Sequence, residues 1–145
     1  MYHRLLVLLM SENQFPVTDL NPTVFVIDDD DSIRKSLSRL LRSFGFEVET
    51  FASADLFLDR DPYDGVGCII LDIRMPGITG LALQDYLAKT DYSMPIIFIT
   101  GHGDIPTSVQ AIHKGAVDFL PKPFDDEELL KSIRRAIEKD VKAKA

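Results

Sequence analysis

Short β-branched and aromatic runs alternate with helically spaced apolar residues along this chain, and that alternation restricts the fold more than any other feature. Residues 24–27, Val-Phe-Val-Ile, form the first run. Ile33, Leu37, Leu40, Leu41 and Phe44 then recur at helical spacing until Gly45, a natural C-terminal cap. Residues 48–51 read as a weaker strand, Ser53 as the cap of a short helix over 54–58, and residues 68–71 as a buried strand after a turn marked by Pro62 and Gly65. The cycle continues with a helix over 81–88, a strand over 95–99, a helix over 105–114 closed by Gly115, and a strand over 116–120. A final helix is expected from Asp125, acidic in its first turn and basic at Lys131, Arg134, Arg135 and Lys139, as the helix dipole favours.

Parallel strands require crossover connections, so five strands alternating with five helices predict a parallel sheet covered on both faces. The expected class is α/β, a flavodoxin-like doubly wound five-stranded sheet in the order 2-1-3-4-5 with five helices. At 145 residues one domain suffices, and a chain of this length buries roughly 70% of its unfolded surface without disulfide or structural metal. The single Cys68 cannot pair within the chain, which points to a reducing cytoplasm. Residues 1–22 are read as a leader, flexible or an added helix. Its apolar run over residues 5–10 is too short to span a bilayer and lacks a cleavage pattern, so no membrane association is expected.

The net charge of −7 gives no electrostatic footprint for nucleic acid, and DNA binding by this chain is not expected. The excess acidity lies between residues 23 and 124, where Asp28, Asp29, Asp30 and Asp31 follow the first strand directly. Asp30 and Asp31 suit helix capping or a turn. In the chosen topology ligands sit beyond the C-terminal strand ends where the first and third strands adjoin. Asp28 and Asp29 end the first strand, Asp72 the third and Thr100 the fourth, and Lys122 lies just past the fifth, so all five project from one edge. Converging carboxylates repel unless a hard cation joins them, and Mg²⁺, which takes oxygen donors, is the natural candidate. Asp72 is the expected nucleophile toward phosphorus, giving an acyl phosphate. Lys122 offers a point charge and Thr100 a hydroxyl to phosphoryl oxygens.

The segments Val-Phe-Val-Ile-Asp28-Asp29, Leu71-Asp72-Ile-Arg-Met75-Pro76-Gly, Ile99-Thr100-Gly101 and Phe119-Leu120-Pro121-Lys122-Pro123-Phe124 resemble the receiver domain of two-component response regulators over residues 22–140. The stretch from Thr100 to Ile112, with the following Gly-Ala-Val-Asp-Phe, is especially similar to receivers of nitrogen-fixation-type regulators that carry a helix-turn-helix output domain. The resemblance implies that Asp72 is phosphorylated by a sensor histidine kinase. It implies that Asp29 and Asp72 bind Mg²⁺ directly, Asp28 mainly through water and Arg74 through its backbone carbonyl, and that the bond before Pro123 is cis. It also implies a switch in which Thr100 and Phe119 move, the face of the fourth helix, fifth strand and fifth helix changes, and a homodimer forms on phosphorylation. A permanently buried Phe119 is the alternative.

On this reading the receiver covers 23–140, residues 141–145 begin a linker, and DNA is reached through a missing C-terminal domain that controls transcription. The chain is then a signalling phosphoacceptor and not an enzyme in the ordinary sense. Two alternatives stand beside it. One is a stand-alone receiver acting by protein contacts. The other is an Asp-nucleophile phosphohydrolase using Asp28 and Asp30, which leaves Met75-Pro76 and Lys122-Pro123 without roles.

Overall fold

The computed structural model describes residues 21–90, 94–101 and 105–144. Residues 1–20 of the leader and His102, to which the sequence assigns no role, lie outside the described residues. Five parallel strands, β1 (Thr23–Ile27), β2 (Glu47–Phe51), β3 (Gly67–Asp72), β4 (Ile96–Thr100) and β5 (Asp118–Pro121), pair in the order β2-β1-β3-β4-β5. The helices are α1 (Asp31–Ser43), α2 (Ala54–Leu58), α3 (Gly80–Ala88), α4 (Ile105–His113) and α5 (Asp126–Ala143). The doubly wound α/β fold and its strand order are those read from the sequence.

Side chains of a strand alternate between faces, and here both faces are buried. Val24, Val26, Cys68, Ile70, Ile97 and Ile99 pack with Leu37 and Leu41 of α1 and with the apolar stripe of α5. Phe25, Ile27, Ile69, Leu71, Ile96 and Phe98 pack against α2, α3 and Ala111 of α4. Burial pushes the Cys68 thiol above its ordinary value, so the thiol stays protonated and inert. Among the described residues no helix is long and apolar enough to cross a membrane.

Local signals end the elements as expected in most places. Ser53 accepts from the Leu56 N–H, and Asp125 caps α5 by accepting from Glu127, so the helix itself starts one residue later than expected. Gly45 and Gly115 follow α1 and α4 at φ 90° and 105°, a region that a Cβ disfavours. The start of one strand differs by two residues. The fifth strand starts at Asp118 rather than 116, because the Ala116 N–H returns to the Ala111 carbonyl at 3.1 Å and still closes α4. The last helix runs to Ala143, with Asp140 and Val141 both buried.

Candidate functional site

Strand register assembles the acidic edge. Ile27 pairs with Leu71, so the residues that follow, Asp28 and Asp72, lie side by side. Asp72 pairs with Ile99, and Thr100 with Pro121, which brings Thr100 and Lys122 to the same end of the sheet. The Lys122 N–H donates to the Thr100 carbonyl at 2.7 Å, and the Lys122–Pro123 bond is cis. Asp28, Asp72 and Thr100 are buried, whereas Asp29 is exposed.

One carboxylate oxygen from each of Asp28, Asp29 and Asp72 lies within 4.8 Å of the other two. Lys122 Nζ stands 2.8 Å from Asp28 and 3.8 Å from Asp72. Burial pushes the Asp72 carboxyl up to about 6, and the Asp28 charge adds to the effect. Lys122 and the hydrogen bond from the Arg74 backbone N–H oppose the rise without cancelling it, and Asp29 contributes a smaller upward push. An all-oxygen, net-negative donor set of this span fits a small hard dication such as Mg²⁺.

Several supports hold this arrangement. The other Asp28 oxygen accepts from the Asp30 N–H at 2.9 Å, forming a turn that orients the carboxylate. Asp30 itself is committed to α1, accepting from the Ser32 and Ile33 N–H groups, so its carboxylate is a cap and not a partner of Asp28 in catalysis. Arg34 donates to the Asp28 carbonyl at 2.6 Å and pairs with Asp31 at 3.1 Å. The sequence reading passed over Arg34, whose signal was its i+3 spacing from Asp31. Gly80 opens α3 against the site: a Cβ there would clash with the Asp72 backbone carbonyl oxygen, which explains a glycine at this position. Phe119 is partly buried, its ring centroid 6.2 Å from that of Phe98.

An aspartate-centred pocket at the switch point of a doubly wound sheet, with a lysine just beyond the last strand, defines a recognisable class of α/β domain. Residues 24–134 match the response regulator receiver domain, and the chain belongs to that family, the receiver domain of two-component response regulators. It is 52% identical over 119 residues to Nodulation protein W of Bradyrhizobium diazoefficiens, covering 82% of this chain and 52% of that protein. It is 48% identical over 121 residues to the response regulator protein TodT of Pseudomonas putida, covering 83% and 53%. The chain thus spans about half the length of these curated relatives. Among solved structures, the response regulator StyR matches with a TM-score of 0.79 at 50% identity, covering 85% of this chain and 62% of that one. FixJ-N matches with a TM-score of 0.75 at 42% identity, covering 81% and 94%.

Proposed function

We propose that the chain is a phosphorylation-activated receiver in which Asp72 takes a phosphoryl group from a sensor histidine kinase in the cytoplasm. The observation that carries this reading is the convergence of Asp28, Asp29 and Asp72 beside Lys122. The three carboxylates, with the Arg74 backbone carbonyl, would hold Mg²⁺. When bound, the ion screens the charge between an anionic nucleophile and the phosphoryl oxygens. An Asp72 oxygen attacks phosphorus; the bond from phosphorus to the donor imidazole breaks, and that nitrogen keeps the electron pair. An acyl phosphate is left on Asp72. Lys122 Nζ, already within 4 Å of Asp72, neutralises one phosphoryl oxygen, and the Thr100 hydroxyl donates to another. Attack of water on the acyl phosphate releases inorganic phosphate and restores the carboxylate. The chemistry is confined to the chain's own side chain, so the role is signalling rather than turnover of an external substrate.

The new charge is the switch input. Thr100 moves toward the phosphoryl oxygens, Phe119 turns inward, and the face built by α4, β5 and α5 changes and controls homodimerisation. We assign the output to transcription, because similar proteins include the transcriptional regulatory protein TdiR of Thauera aromatica. DNA contact belongs to a further domain of such a regulator rather than to this acidic chain. Incubation with acetyl phosphate and Mg²⁺, followed by intact mass measurement, tests the first step. The parent gains one phosphoryl group, and the gain is lost in Asp72→Asn and on chelation of the metal. Labelling of Asp72→Asn as complete as that of the parent overturns the assignment.

A further inference from the structure

Helix α4 is held unevenly. Ala111 is its buried residue, while Ile105 is 78% exposed, Val109 50% and Ile112 45%. Apolar packing therefore contributes little to its placement, and polar ties hold its C-terminal end. Gln84, buried in α3, donates its side-chain N–H to the Ala111 carbonyl at 3.0 Å. The next residue, Asp85, accepts from Lys114 Nζ at 3.0 and 3.2 Å. The Ala111 carbonyl also receives the Ala116 N–H, so the exit turn of α4 joins the same junction. Toward the other end, a cleft of about 540 Å³ lies between Thr107 and the stretch 73–76 that follows Asp72, with Leu81 also lining it.

The choice of residue at the junction is informative. The Gln84 Oε1 is buried with no hydrogen-bond partner among the described residues, a cost that an apolar side chain of similar volume avoids. What the amide supplies in exchange is direction. Apolar contact is non-directional and lets helices slide, whereas a hydrogen bond fixes one point and permits rotation about it. We infer that Gln84 and the Asp85–Lys114 pair form the pivot about which α4 swings when Asp72 is phosphorylated, its N-terminal end closing on the cleft. This rests on the phosphoacceptor reading above. At 1.5 Å rise per residue Ile105 lies about 9 Å from Ala111, so a rotation of about 15° moves it by about 2 Å, the scale of ordinary helix shifts in switches. Gln84 and Lys114 are positioning residues and touch no reacting atom.

Backbone amide chemical shifts of the full chain, recorded in Mg²⁺ with and without the phosphoryl mimic beryllofluoride, test the pivot. In the parent the change over residues 105–109 is several-fold larger than that over 110–114. In Gln84→Met, which keeps the volume and removes the donor, the change over 110–114 rises to match. Lys114→Asp does the same, and Asp85→Lys combined with Lys114→Asp restores the confined pattern. Acetyl-phosphate labelling of the same samples keeps the two readings apart. A parent that takes no label overturns the phosphoacceptor reading. A parent that takes label but shifts uniformly along α4 overturns the pivot alone, as do labelled Gln84→Met and Lys114→Asp proteins with the parent's pattern.

Discussion

Asp72 shows how a single residue can be poorly accommodated by the fold that positions it. Its carboxyl is pushed up to about 6, against an ordinary 3.8, first by burial and then by Asp28. The folded state therefore holds the Asp72 proton more tightly than the unfolded state does. Ionisation destabilises the fold above about pH 6, and this penalty fades as pH falls from 6 toward 3.8. Without divalent cation, Asp72→Asn is expected to stabilise the chain by about 1–3 kcal/mol near neutral pH, with the advantage shrinking as the solution is acidified toward pH 4. Urea unfolding across this pH range in a chelator measures it. Millimolar Mg²⁺ is expected to stabilise the parent far more than the variant, since a ligand that binds only the folded state adds its binding free energy. An Asp72→Asn protein no more stable than the parent in the chelator contradicts the strained-carboxylate account.

At the scale of elements, the buried Asp140 ties the last turn of α5 to the start of β3. It accepts from the Gly67 N–H at 2.9 Å and from Lys144 Nζ at 2.6 Å. Asp140→Ala leaves a buried N–H unpaired and is expected to cost about 1–3 kcal/mol, while Asp140→Asn keeps an acceptor and costs less. Denaturant midpoints of the two variants against the parent decide this. The same residue shows where sequence reading stops. A charged side chain near the end of an apolar period gives no sign of burial, yet Asp140 is buried in the last turn of a helix that ends at Ala143. The start of β5 was misplaced for a different reason: Val117 has strand-like chemistry, but closure of α4 by the Ala116 N–H delays the strand. Strands β1, β3 and β4 were legible because burial on both faces demands unbroken apolar runs. Asp28, Asp29, Asp72 and Thr100 were legible because each stands at the C-terminal end of such a run or just past it, and Lys122 because it follows the fifth strand. Arg34 and Gln84 were not, since an arginine or glutamine on a helix carries no sign of the backbone carbonyl it holds.

Across the whole molecule, the acidic pocket at one end of the sheet and the helix α4 beside it place the input and the output of the proposed switch next to each other. Ile105, Val109 and Ile112 recur at i, i+4 and i+7, so they share one face of α4, and all three are exposed. β5, next to it in the chain, is the edge strand of the sheet, and Asp118 on it is tied to α5 by Arg135 at 2.7 Å. In the proposed switch, this apolar face and the neighbouring edge take up a second copy. In sedimentation, the chain loaded with beryllofluoride and Mg²⁺ is expected to reach dimer mass at concentrations where the unloaded chain is monomeric. Val109→Glu places an unpaired carboxylate at the centre of this face, a penalty of about 3 kcal/mol or more that weakens the dimer by over about a hundredfold. Labelling of Asp72 by acetyl phosphate should be unchanged in that variant, because Val109 is exposed on α4 and no part of the pocket. Dimer mass retained by loaded Val109→Glu places the contact elsewhere on the surface, and monomer mass for the loaded parent removes self-association from the switch while leaving the phosphoacceptor chemistry intact.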